Sequence, residues 1–352
     1  MSEQRPEEPA PTVTLRAEGG PASAPTPPRG PVATALAYLA LVKPRLVLLV
    51  VATAAVGFLL APDHDATGSR LLVALVGTFF AAAGAMALNQ RIEAERDARM
   101  ERTRARPVPA GTIRPRAAAI FGVVVSCTGL LTLALGANLL TAGLGLSVVL
   151  LYTLVYTPLK TRTPLCTLAG AACGAIPPMM GWTATGAGIG YGAWLLAGVL
   201  FLWQIPHFLA LAWLYRDDYR RGGFRMLPVV EPSGTLTGSA AVLYSLALVP
   251  VGILGALGGI TGWGFAAGAF GLGAALTTLT LQLATRRTNA AARRVFLATL
   301  AYLPLLLALM VVDRREALPR GPDVAASGVH RTSATSAATT PASPHLPVTV
   351  TR

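Results

Sequence analysis

Charge is scarce in this 352-residue sequence: Asp, Glu, Lys and Arg make up 13% of it, about half the share of a typical soluble domain. Acid is scarcer still, with 16 carboxylates against 29 lysines and arginines, and histidine occurs four times. Together with 53% hydrophobic residues and a mean hydropathy of +0.56, this excludes a soluble enzyme and a disordered chain. Only three cysteines occur, Cys127, Cys166 and Cys173, all inside apolar stretches, so no disulfide framework is expected. Aromatic residues are few (7%) while glycines number 36, a composition suited to helices that approach closely in lipid. A net charge of +13 would ordinarily suggest a nucleic-acid partner. Here the cations lie in short runs between apolar segments, so the expected partner is membrane lipid and no nucleic acid.

The first thirty or so residues are rich in Pro, Glu and Ala and contain no apolar core of a signal peptide, so residues 1–34 are expected to form a disordered cytoplasmic tail. A Ser/Thr/Ala/Pro-rich stretch, 317–352, is expected to be a second such tail. Between them, 35–316 reads as an all-α polytopic membrane domain of about nine spans, each near the 17–25 residues that cross a bilayer. The spans are Leu36–Leu60, Leu71–Leu88, Ala117–Ala137, Leu139–Tyr156, Leu165–Thr183, Ala193–Leu214, Ala240–Leu257, Trp263–Ala284 and Val295–Val312. Lys43-Pro44-Arg45 interrupts the first, predicting an interfacial turn before the crossing proper.

Eight arginines between Arg91 and Arg116 follow the second span, Lys160 and Arg162 the fourth, Arg216 to Arg225 the sixth, and Arg286 to Arg294 the eighth. The odd-numbered connections hold only Arg70. The positive-inside rule therefore puts the amino terminus and the even-numbered connections in the cytoplasm, against the mild contrary vote of Arg314 and Arg315.

Two polar loops carry candidate chemistry. In the first, Asn89, Glu93 and Asp97 are spaced four apart, so a helix continuing out of span two would stack them on one face, with Glu95 turned elsewhere. An amide and two carboxylates at the membrane edge form a hard-oxygen set suited to Mg²⁺, which leaves other coordination positions for phosphate oxygens. Arg102 and Arg106, also four apart, could clamp an anionic phosphate in fork geometry. The competing reading is a solvated loop that only enforces topology and touches anionic lipid.

In the second loop, His207 and Asp218 lie eleven residues apart, which on one continuous helix would give them a common face. His207 is an ionisable group at membrane depth and a functional candidate on that ground; it could equally be a neutral ring bonded to a carbonyl freed by Pro206. Between the loops, Lys160 could face phosphate, and Arg162 could do so or simply mark the inner side. Gly170, Gly174 and Gly181 with Pro177-Pro178 suggest close helix approach and a broken helix lining a cavity, or ordinary packing.

Taken together, these residues resemble the protoheme IX farnesyltransferases, the haem O synthase branch of the UbiA-type intramembrane prenyltransferase superfamily. The resemblance runs from Lys43-Pro44-Arg45 to about Val312 and rests on N-x-x-x-E-x-x-x-D with M-E-R-T-R-A-R-P, Y-T-P-L-K, G-A-I-P-P-M-M-G-W, W-Q-I-P-H-F and D-Y-R-R-G-G-F-R-M-L-P. It implies a UbiA-type helical bundle in the plasma membrane with its active-site loops cytoplasmic. It implies an enzyme that transfers farnesyl from farnesyl diphosphate to a vinyl group of haem B, with addition of water, giving haem O for haem-copper oxidase biogenesis. By that resemblance Asn89, Glu93 and Asp97 would hold Mg²⁺, Arg102, Arg106 and Lys160 would bind diphosphate, and Asp218 and His207 would complete the catalytic set. Contact with haem A synthase or terminal-oxidase assembly proteins is a further implication. The family usually has aspartate where this chain has Glu93 and Glu95, which puts the metal geometry in question.

Two rivals stand beside this reading. A UbiA-type prenyltransferase acting on a quinone precursor is disfavoured by the lone His207 and by the lack of D-x-x-x-D after span six. A secondary transporter would hold its ionisable groups near the midplane, whereas these carboxylates gather at one membrane face.

Overall fold

The computed structural model describes residues 30–62 and 66–315; both expected tails lie outside these, apart from Gly30 and residues 31–34, which form the first turn of the first helix and not a tail. That helix, α1 (Pro31–Val42), starts earlier than the composition suggested, with Pro31 at its first position, where a missing N–H costs nothing. It stops at Lys43, a non-glycine residue at φ 52°, because Pro44 cannot continue its hydrogen-bond ladder. The chain restarts as α2 (Pro44–Leu60), bent 48° from α1. Gln90 fastens the break by donating to the Ala40 and Leu41 carbonyls at 3.2 and 2.8 Å, two of the acceptors that a helix end leaves unpaired.

Next come α3 (Gly68–Asp97), α4 (Pro115–Gly136) and α5 (Leu139–Leu150), the last running into a π-helical turn, Leu151–Tyr156, and a short α6 (Thr157–Leu159). The second half holds α7 (Cys166–Ala184), α8 (Tyr191–Leu214), α9 (Arg216–Arg221), α10 (Leu227–Val230), α11 (Thr235–Ala247), α12 (Val251–Leu257), α13 (Trp263–Arg286) and α14 (Asn289–Val312). Among the described residues seven helical segments are long and apolar enough to cross a membrane, eight if the bent α1–α2 pair counts as one. The expected nine included α7, whose 19 residues are rich in Gly, Pro and Thr and mostly buried inside the bundle. Large aliphatic side chains such as Leu72, Ile120, Leu131, Leu135 and Leu243 are exposed on the outer faces, as a lipid-facing surface requires and a water-facing one would not tolerate.

The expected break in α7 is absent. The helix runs unbroken through Pro177-Pro178, and α2 packs against that turn. A Cβ at Gly57 would collide with the Pro178 carbonyl, and one at Gly181 with the Ala54 carbonyl, so the two backbones are in direct contact. Gly170 makes room for the Tyr156 ring and Gly174 for the Gln204 amide. Close packing, not a cavity, accounts for these glycines. Gly181→Val is expected to destabilise the protein by about 1–3 kcal/mol or more, read as a lower thermal midpoint in detergent; an unchanged midpoint would show that α2 can move away freely. Arg314, anomalous by its charge on the outer side, donates to the Leu59 carbonyl at 2.9 Å and so serves the end of α2.

Candidate functional site

Helix α3 extends well past its apolar stretch and buries Asn89, Glu93 and Asp97 on one face, while Glu95 is exposed. These are polar groups removed from water, so each needs a partner. Asn89 Nδ2 donates to Thr157 Oγ1 at 3.0 Å, Lys160 Nζ to Glu93 Oε1 at 2.7 Å, and Arg106 Nη1 to Asp97 Oδ2 at 2.6 Å. In every case one end of the side chain is tied to a neighbour. Asp97 Oδ1, the other end of its carboxylate, is buried without a hydrogen-bond partner among the described residues. An orphaned carboxylate oxygen beside a carboxylate and an amide fits a hard divalent cation. No three Asp, Glu, His or Cys side chains gather into a ready-made cage among the described residues, so a cation here would draw further oxygens from its ligand.

The loop after α3 is not helical, and this separates the two arginines whose spacing suggested a clamp. After Asp97 the chain folds into consecutive turns stapled by Thr103 Oγ1, which donates to the Asp97 carbonyl at 2.9 Å. Arg106 swings back onto Asp97, whereas the Arg102 guanidinium lies between the rings of Tyr215 and Tyr219, 4.6 and 4.5 Å from their centroids. Arg102 therefore joins the first polar loop to the second. Asp218 does the same from the other side: it accepts from the Glu101 backbone N–H at 3.1 Å and from the Arg221 guanidinium. Met100 packs with Cys166, Phe224 and Met226, and Arg225 N–H donates to the Lys160 carbonyl at 2.7 Å. Three connections thus form one packed layer over the ends of the helices, and a freely solvated loop does not describe it.

Lys160 is the central cation. Burial opposes its charge, but the Glu93 carboxylate more than offsets that, so the ammonium is held above the usual lysine range. Its Nζ also lies 4.4 Å from the centroid of the Tyr156 ring, which in turn packs 5.2 Å from Tyr152. A cleft of about 150 Å³ opens beside it, lined by Glu93, Arg96, Thr157 and Arg162 among others. That is smaller than a drug-sized ligand pocket and commensurate with a phosphate-sized group.

Sequence reasoning missed three members of this cluster. Lys43, seen only as a costly interruption, comes within electrostatic reach of Arg106, Glu93, Lys160 and Asp97. Arg96 was counted among topology markers, and Thr157 carried no signal beyond the Pro158 that follows it.

His207 stands apart. The common face with Asp218 fails because α8 ends at Leu214 and the chain turns at Tyr215 before α9 begins. His207 instead faces α14, stacked between Trp203 and Phe296 with ring centroids at 5.1 and 5.0 Å. Its Nδ1 lies 2.9 Å from Thr299 Oγ1, so it does not use a carbonyl freed by Pro206. Thr299 gives its one hydroxyl hydrogen to the Phe296 carbonyl at 2.7 Å. It must therefore accept from Nδ1–H, and a neutral ring keeps its lone pair on Nε2. Among the described residues, no hydrogen bond or ring contact links His207 to Asn89, Glu93, Asp97 or Asp218.

Comparison with known proteins agrees with this layout. Residues 50–305 match the UbiA prenyltransferase family. A protoheme IX farnesyltransferase of Solibacter usitatus is 39% identical over 286 residues, covering 79% of this chain and 98% of its own length. One from Salinibacter ruber is 41% identical over 276 residues, covering 78% and 98%. Among solved structures, an apo UbiA homologue of Aeropyrum pernix K1 superposes with a TM-score of 0.61 at 20% identity, over 76% of this chain and 98% of that one. A UbiA homologue of Archaeoglobus fulgidus bound to GPP and Mg²⁺ gives 0.54 at 16%, over 78% and 99%. The all-helical membrane architecture, the polar layer at the helix ends and the match across most of the sequence lead to one conclusion: this chain belongs to the UbiA prenyltransferase family, and within it to the protoheme IX farnesyltransferases.

Proposed function

We infer that this protein joins the farnesyl group of farnesyl diphosphate to a vinyl group of haem B, with addition of water, to give haem O. The observation that carries the site assignment is the triplet on α3, each member anchored at one end by a cation or hydroxyl, with Asp97 Oδ1 left unsatisfied. The relatives at about 40% identity, whose names state the reaction, supply the substrates.

Asn89, Glu93 and Asp97 are the residues that would hold Mg²⁺, the ion present with a prenyl diphosphate in the Archaeoglobus homologue. Such an ion neutralises charge as it builds on the departing diphosphate. Lys160 and Arg106, already turned toward the carboxylates, bring their charge to the same oxygens, and Arg96 at the cleft widens the positive field. The allylic C–O bond breaks, the diphosphate keeps the electron pair, and the farnesyl C1 cation is shielded from water by the apolar helices. The Tyr156 face is occupied by Lys160, so the neighbouring Tyr152 ring is the candidate to stabilise the cation, a contribution of about 1–2 kcal/mol. The haem vinyl π electrons form the new bond to C1. Water then adds to the resulting cation and loses a proton, leaving a hydroxyethylfarnesyl substituent.

Asp218 acts at a distance, holding the second loop onto the first. His207, whose Nε2 has no hydrogen-bond partner among the described residues, is the candidate to position or ligate haem from the α8–α14 seam. The cation distribution supports a site on the cytoplasmic side, with the plasma membrane as the proposed location.

Membranes containing the protein, given haem B, farnesyl diphosphate and Mg²⁺, are expected to form a pigment heavier by one farnesyl group and one hydroxyl, and EDTA should abolish it. Prenylation of an added quinone precursor with no haem product would overturn the substrate while keeping the chemistry.

A further inference from the structure

Pro158 has no amide hydrogen, and the chain just ahead of it widens into the π-helical turn Leu151–Tyr156. In that register the Tyr152 carbonyl accepts the Thr157 backbone N–H five residues on, and the Thr157 hydroxyl as well, at 2.7 Å. A threonine hydroxyl has a single hydrogen. Spent on Tyr152, it leaves Thr157 Oγ1 able only to accept, and the donor it meets is Asn89 Nδ2 at 3.0 Å. Thr157 and Asn89 are 2% and 1% exposed, so water does not compete for either.

This chain of hydrogen bonds decides which way the Asn89 amide points. An asparagine side chain carries a donor NH₂ at one end and an acceptor oxygen at the other, and the two ends have nearly the same shape. A hydroxyl with its hydrogen free would pair with either end, donating to the oxygen or accepting from the NH₂. A hydroxyl whose hydrogen is already committed accepts only the NH₂. We propose that Thr157 is a positioning residue: anchored on the Tyr152 carbonyl by the π-helical turn, it fixes the Asn89 amide so that oxygen, not nitrogen, is presented to the divalent cation of the diphosphate site. The Y-T-P-L-K run then has a part for most of its members. Tyr156 lies under the Lys160 ammonium, Thr157 orients Asn89, Pro158 accounts for the widened turn, and Lys160 pairs with Glu93. The inference rests on the metal-site reading above.

The test measures Mn²⁺ binding by electron paramagnetic resonance in the full-length protein, with inorganic pyrophosphate as the unreactive diphosphate. Thr157→Val, which keeps the shape and loses the hydroxyl, is expected to weaken Mn²⁺ affinity by about 10–100-fold, the usual cost of losing a partner behind a metal ligand. Thr157→Ser is expected to stay within about 3-fold of the native protein. The same Thr157→Val change made together with Asn89→Asp is expected to cost less than about 3-fold relative to Asn89→Asp alone, because a carboxylate has oxygen at both ends. Equal losses in the two backgrounds would overturn the proposal in favour of a purely packing role, as would Thr157→Val binding Mn²⁺ like the native protein. Thr157→Ala, which adds no bulk, carries the same expectations if the valine variant does not fold. Asp97→Ala with undiminished Mn²⁺ binding would instead overturn the metal site itself.

Discussion

Asp97→Ala is expected to lower haem O formation by about a hundredfold to a thousandfold, the range seen when a group stabilising transition-state charge is removed from a preorganised site. Asp97 is fully buried, its Oδ2 holds Arg106 at 2.6 Å, and its Oδ1 has no other occupation among the described residues. On the proposed reading, the substitution takes away a ligand of the divalent cation and frees Arg106 from the place where it would meet diphosphate. Stability should fall far less than activity, because the Arg106 side chain is 28% exposed and can turn toward water once released. Asp97→Asn separates the two effects: it keeps the shape and a weak acceptor, so the fold should be nearly native while Mn²⁺ affinity in the presence of pyrophosphate still collapses. Native turnover in Asp97→Ala, measured by the mass of the haem product, would remove Asp97 from the site.

How much of this was legible in the sequence depends on whether a feature is written in local spacing or in contacts across the chain. The α3 face is local: residues four apart on a helix must stack, and Asn89, Glu93 and Asp97 are buried together as that rule requires. The polar layer is different. Arg102 and Arg106 have the same spacing, but the helix ends at Asp97, so the spacing lost its meaning and the two side chains serve different partners. The same failure separates His207 from Asp218, since one residue, Tyr215, leaves the helical conformation between them. Lys43 was invisible as a site residue because its place depends on a left-handed turn and on where α3 and the Lys160 turn arrive. The glycines of α7 were ambiguous for a related reason. Whether Gly181 faces a cavity or the Ala54 carbonyl is set by α2, more than a hundred residues earlier.

Lys160→Met tests the layer where its charges are most tightly balanced, and two losses are expected together. Glu93 and Lys160 side chains are 7% and 12% exposed, so removing the cation leaves a carboxylate in a poorly hydrated place, at a cost of about 3–5 kcal/mol. The reaction should slow by about a hundredfold as well, because the positive charge proposed to meet the departing diphosphate is gone. Only the first loss is repairable. Lys160→Met combined with Glu93→Gln takes away both charges, and its thermal midpoint in detergent is expected to return most of the way to native while turnover stays low. A double variant that recovers activity would mean that Lys160 only neutralises Glu93. The pH dependence follows from the same pair. The folded-state pKa of Lys160 lies above the ordinary value of 10.5, so the stabilisation from its charge is fully present below that value and is lost only as the pH rises through the higher folded one. Any alkaline fall in activity between pH 8 and pH 10 must then arise elsewhere, and it should persist unchanged in position in Lys160→Arg, whose guanidinium does not titrate there. A fall that moves to higher pH in the arginine variant would place the Lys160 ammonium in ordinary water-like surroundings and break the pairing with Glu93 on which the site depends.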